Sequence, residues 1–102
     1  MRLWLDDLRA LPRNYTCHAH SVNEAIKLIE DAEINGENVE IISLDHDLGD
    51  FYKDGGDGIC LLDWLVERQS FYPVVFHTAN PVGRANMQRI KERWWREEHG
   101  NI

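Results

Sequence analysis

Residues 39 to 50 read "VEIISLDHDLGD", and this stretch decides the fold. Val39, Ile41, Ile42 and Leu44 make a nearly continuous, mostly β-branched apolar run, which predicts a strand over 39–44 covered on both faces. The run stops at Asp45-His46-Asp47, three ionisable residues in a row, and Gly49 then lets the chain turn away. Buried strands of this kind belong to parallel sheets, whose ligands bind beyond the carboxyl ends of the strands. The triplet therefore stands where chemistry is expected.

Working outward, "RLWL" (2–5) predicts a short strand that ends at Asp6-Asp7, followed by a Pro12-containing loop, "LRALPRN". "YTCHA" (15–19) fits a second strand. Ser21 with Glu24 three residues on forms a capping-box pattern, and Val22, Ala25, Ile26, Ile29 and Ala32 repeat at helical spacing until Asn35-Gly36 stops them. After the Gly- and Asp-rich loop 45–58, a helix resumes near Gly58 with Ile59, Leu62, Leu65 and Val66 on one side. "YPVVFHT" (72–78) gives a fourth strand with Pro73 at its start, and Asn80 caps a last helix whose first residue is Pro81. Met87, Ile90 and Trp94 mark the buried face of that helix, with Arg89, Lys91, Arg93 and Arg96 turned outward. The order β, β, α, β, α, β, α implies a three-layer α/β domain over residues 1–102, with a mostly parallel four-stranded sheet and right-handed crossovers.

The chain has 102 residues, 43% hydrophobic and 28% charged, with no apolar run long enough to span a bilayer. A strand from Arg2 leaves no room for a secretory leader, and Cys17 and Cys60 lack CxxC spacing, so a cytoplasmic setting with reduced thiols is expected. The net charge of -7 argues against generic duplex DNA binding. Charge is also segregated. Seven of nine aspartates fall in two short stretches, whereas five of eleven Lys and Arg residues fall in the last predicted helix.

The predicted strand ends carry the candidate site. Asp6, Asp7, Asp45 and Asp47 bring carboxylates close enough to repel unless a cation intervenes, and Mg²⁺ is the simplest oxygen-ligand cation to expect. The rival reading is that they cap helices, satisfy turns or face solvent. "DHDLGDFYKDGG" is not an EF-hand, because the ligand spacing and closing Glu fail. His46 and His77 end two strands expected to be neighbours, so both could serve one ligand as acid and base. "CHAH" (17–20) offers three ligands on one strand without a fourth, which argues against zinc. Asn80, Gly83 and Arg84 at the last helix start either form an anion site or simply begin the helix and pack it on the sheet. "RWWR" (93–96) reads as one core-facing and one rim-facing tryptophan, with base stacking between its aromatics and arginines as the rival and a protein partner at Trp94 and Trp95 as the intermediate reading.

These residues resemble a response-regulator receiver domain from residue 1 to about 80. Asp6-Asp7 follow the first strand, "SVNEAIKLIED" follows the second, Asp45 stands at the phosphoacceptor position, and "DGICLLDWL" and "PVVFHTA" complete the likeness. The resemblance implies a flavodoxin-like fold, Mg²⁺ on Asp6, Asp7 and Asp45, and a phosphoryl contact from Thr78. A receiver also has a lysine after a fifth strand, whereas here the chain passes from Asn80 into its final helix, a truncated C-terminal β/α unit. "WLDDLRALP" (4–12), "SLDHDLG" (43–49) and "HTANPVGRANM" (77–87) are more closely similar to the cyclic-phosphate-processing receiver-like family. That similarity implies a pocket for a cyclic phosphate on a nucleotide or RNA-derived end. The expected site then uses His46 and His77 as acid and base beside Asp45, Arg9, Thr78, Asn80, Gly83 and Arg84 on the phosphate, and Asp6, Asp7, Asp45 and Asp47 on a metal or on the histidines. A binding module without turnover and a phosphoaccepting receiver are the rival functions.

Overall fold

Alternation along the first strand sets the architecture. In β1 (Arg2–Leu5), Leu3 and Leu5 are fully buried on one side, while Arg2 and Trp4 point to the other. The computed structural model describes residues 1–95 and continues with β2 (Cys17–Ala19), α1 (Val22–Ile34), β3 (Ile41–Leu44), a 3-10 turn (Gly49–Lys53), α2 (Gly58–Arg68), β4 (Val74–Phe76) and α3 (Pro81–Trp94). All strand pairs are parallel, in the order β2-β1-β3-β4. Leu5 lies opposite Ala19 on one side and Leu44 on the other, and Leu44 lies opposite Phe76. This is the receiver-like parallel sheet with three helices that the element order implies.

The strand residues in this register, Leu3, Leu5, Ala19, Ile42, Leu44, Val74 and Phe76, join Ile29, Leu61, Leu65 and Met87 of the helices in one core. The crossovers from β2 to β3 and from β3 to β4 run in the same direction across the sheet, so right-handedness puts α1 and α2 on one face. Helix α3 packs against α2 on that same face. The step from β1 to β2 runs the other way and contains no helix. The outer helical layer of the expected three-layer arrangement is thus replaced by the loop of residues 6–16. Its Tyr15 meets Trp4 edge-on with ring centroids 5.2 Å apart. Pro12 and the lack of helical periodicity explain why no helix forms there.

Local chemistry fixes the element ends. Ser21 Oγ accepts the Glu24 amide (3.1 Å) and donates to Asp54 Oδ2 (2.6 Å), so the cap of α1 also anchors the loop that follows β3. Glu24 Oε1 reaches back to the His20 amide at 2.8 Å, one residue earlier than a standard capping box. Several details differ from the sequence reading. Strand β2 starts at Cys17 rather than Tyr15, and β3 at Ile41 rather than Val39. The inner face of α2 uses Gly58, Leu61, Leu62 and Leu65, with Ile59 and Val66 only partly buried.

On α3, Trp94 is 38% exposed beneath the Arg93 guanidinium, whereas Trp95 packs on the core, donating Nε1–H to the Tyr72 carbonyl at 2.7 Å. Lys91 does not point to solvent; its Nζ donates to the Val74 carbonyl at 2.9 Å. Arg96 lies outside the described residues.

Gly58 carries the closest packing. Its amide donates to the His46 carbonyl (2.7 Å), and a β-carbon there would collide with the Asp45 carbonyl. Because that obstacle is backbone at the end of β3, Gly58→Ala is expected to cost about 3 kcal/mol, read as a lowered urea midpoint at unchanged slope.

Candidate functional site

Extending the sheet register by one residue past Leu5, Leu44 and Phe76 brings Asp6, Asp45 and His77 side by side on the loop-covered face. Asp6 is fully buried. Its Oδ1 accepts the amides of Leu8 and Arg9, both at 2.8 Å, folding the chain after β1 into a tight turn. Its Oδ2 accepts Arg9 Nη1 at 2.8 Å and lies 2.8 Å from His77 Nε2. The same Arg9 nitrogen reaches Asp45 Oδ2 at 3.3 Å, while Asp45 Oδ1 accepts the His46 amide at 2.8 Å. Burial alone would push the Asp6 carboxyl up, but the hydrogen bonds from Arg9, Leu8 and His77 together lower it to about 2. Asp7 is raised, by burial first and then by repulsion from Asp6 and Asp45. The cluster thus contains more negative charge than Arg9 neutralises.

The two histidines have different environments. His77 stacks on Trp4, with centroids 3.7 Å apart and planes within 6°, and its Nδ1 lies 2.8 Å from Ser43 Oγ. Burial lowers its pKa despite the attraction of Asp6. A neutral ring that donates Nε2–H to the Asp6 carboxylate and accepts the Ser43 hydroxyl satisfies both nitrogens. His46 packs over Gly83, where a β-carbon would collide with the imidazole. Its Nδ1 lies 2.8 Å from Asp47 Oδ1, which leaves Nε2 as the second ring nitrogen. Asp47 also accepts the Asn80 amide at 3.1 and 3.3 Å, and these bonds hold its carboxyl down, led by the one from His46.

Above the cluster lies a cleft of about 420 Å³ lined by Asp7, Leu8, Arg9, Asp45, Asp47, Gly49, Thr78, Ala79 and Asn80. It collects residues from the ends of β1, β3 and β4, as the sequence anticipates. Asp6 lies outside the lining, and so do both imidazoles: His46 contacts the lining residue Asp47, whereas His77 contacts Asp6, which meets the lining through Arg9. Gly83 and Arg84 also stand outside the lining. Asn80 Oδ1 accepts the Gly83 amide at 3.0 Å and the Asn80 carbonyl accepts the Arg84 amide at 2.9 Å. Since Pro81 has no N–H, the helix start is largely self-capped.

Sequence reasoning missed Trp4, Ser43 and Leu8. The first two could have been found by parity, because Trp4, Asp6, Ser43, Asp45 and His77 all share one face of alternating strands. The exposure of Leu8 at the cleft depends on the loop's path and leaves no periodic signal. His18 and His20 of "CHAH" stack on each other at 4.1 Å.

The chain matches the family model of the cyclic-phosphate processing Receiver domain over residues 1–93. It belongs to this family. No curated protein and no solved structure matches it. Within this receiver-like frame no lysine lines the cleft, and Arg9 is the cation beside Asp45. Oxygens of Asp6, Asp7 and Asp45 lie within 4.8 Å of one another, hard donors of the kind Mg²⁺ takes; those of Asp6 already accept four donors, so Asp7 and Asp45, which line the cleft, are the two that could hold the ion. No helix among the described residues is long and apolar enough to cross a membrane.

These shifts predict the acid side of the stability curve. Folded His77 binds its proton less readily than the unfolded chain, so its contribution is present above about pH 6.5 and falls as pH drops below that. The Asp6 contribution, about 2 kcal/mol, is present above pH 3.8 and is lost as pH falls toward about 2. Tm measured across this range is expected to decline in two stages, and His77→Gln should flatten the upper one. Asp6→Ala leaves Arg9 and His77 without their buried partner and should cost about 3 kcal/mol at neutral pH by urea denaturation.

Proposed function

We propose that the cleft binds the cyclic phosphodiester of a nucleotide or of an RNA-derived end, and that water opens the ring. The observation that carries this reading is that Arg9, Thr78 and Asn80 line one cleft together with Asp7, Asp45 and Asp47. A guanidinium and a hydroxyl suit phosphate oxygens. Opening the ring forms one bond from the water oxygen to phosphorus and breaks one phosphorus–oxygen ester bond. The water proton must leave and the departing oxygen must gain one. These two tasks fall to His46 and His77: His46 adjoins the cleft-lining Asp47, and His77 is joined to Asp6, whose Oδ2 also holds the cleft-lining Arg9. A divalent ion on Asp7 and Asp45, with Asp6 behind them, would supply positive charge against the phosphate.

The test is incubation with 2′,3′-cyclic nucleotides, RNA carrying a cyclic-phosphate end and ADP-ribose cyclic phosphate, with and without Mg²⁺. Ring opening is expected, and His46→Ala and His77→Ala should each lower kcat about a hundredfold with a smaller change in KM. Absence of turnover on all three substrates in both conditions removes the hydrolytic reading. Mg²⁺ is expected to raise Tm, and Asp7→Asn to reduce that rise.

One observation favours a second reading, a binding module that holds the ligand without turnover: neither imidazole lines the cleft. It requires stoichiometric binding by calorimetry, intact ligand on recovery and an affinity unchanged by His46→Ala.

A further inference from the structure

The string "CHAH" and Phe51 of the turn after β3 lie outside the cleft lining, yet the fold brings them together. His18 and His20 project from the same face at the end of β2 and stack at 4.1 Å with their planes 21° apart. The Phe51 ring continues this row, 5.7 Å from His20, and is 43% exposed. Two contacts join the row to the carboxylate cluster. His18 Nε2 lies 2.9 Å from the Asp6 carbonyl. The turn that carries Phe51 begins at Gly49, which lines the cleft and comes so close to Asp7 that a β-carbon would stand 2.6 Å from its Oδ2. At the cleft itself Leu8 is 86% exposed.

An apolar ring held open to solvent, in line with two stacked imidazoles and on a turn whose Gly49 lines the polar cleft, presents flat π-surface near that cleft. Flat heteroaromatic rings stack on such surfaces with little sequence preference. We infer that His20 and Phe51, backed by His18, form a stacking platform for the nucleobase of the ligand, so that the preferred ligands are nucleoside cyclic phosphates and not base-free sugar cyclic phosphates. Purines, with the larger π-face, bind best. This inference rests on the cyclic-phosphate reading of the cleft and adds the part of the ligand that the cleft does not hold.

The test compares, by calorimetry on the full chain, the affinities for a 2′,3′-cyclic purine nucleotide and for ribose 2,3-cyclic phosphate. The nucleotide is expected to bind roughly tenfold more tightly, a gap set by base stacking. Phe51→Ala and His20→Ala should each shrink that gap, and Phe51→Trp should restore it, with fluorescence of the added indole quenched by the nucleotide but not by the base-free sugar. Equal binding of both ligands by the unaltered protein, or a gap that survives Phe51→Ala, overturns the platform while leaving the cyclic-phosphate reading intact. Failure of both ligands to bind overturns both.

Discussion

Parallel strands about 4.8 Å apart that end in register on acids must solve a repulsion problem, and most of the site follows from its solution. Asp6 and Asp45 are neighbours because Leu5 and Leu44 are neighbours. The fully buried member, Asp6, remains ionised because two amides, a guanidinium and an imidazole converge on it. To deliver the first three of these donors the chain turns tightly after β1, and a loop instead of a helix covers that face. The outer loop, Arg9 and the cleft beside it are consequences of the same buried charge.

The two histidines show how position outweighs residue type. Both follow strands, and both have a carboxylate at 2.8 Å. His77 is fixed between Trp4, Ser43 and Asp6, so its ring is oriented by three neighbours and held toward the neutral form. His46 is fixed by steric fit over Gly83 and by an exposed acid that it shares with Asn80. Gly83 therefore matters for the room it leaves an imidazole, not for an amide offered to an anion, since that amide is already taken by Asn80.

Sequence patterns revealed what depends on periodicity and strand ends. The apolar runs located Asp6, Asp45 and His77, and the Asn80-Pro81 pair located the start of α3 within one residue. What stayed hidden depends on paths with no period. Arg9 pairs with two acids only because the loop doubles back, and Trp95 instead of Trp94 meets the core because α3 ends where Tyr72 offers its carbonyl. The face chosen by each helix was implicit in strand order, which follows from the register of β1 between β2 and β3 and not from any local signal.

Lys91 has a consequence for the molecule as a polymerisable object. The β4 strand is an edge, and parallel pairing with β3 uses the groups of Pro73 and His77, leaving the Val74 carbonyl facing outward. Unpaired edges invite strands from other chains. By placing an ammonium on that carbonyl, α3 puts a charged plug where an incoming strand would form a hydrogen bond, at the β4 edge of the four strands found among the described residues.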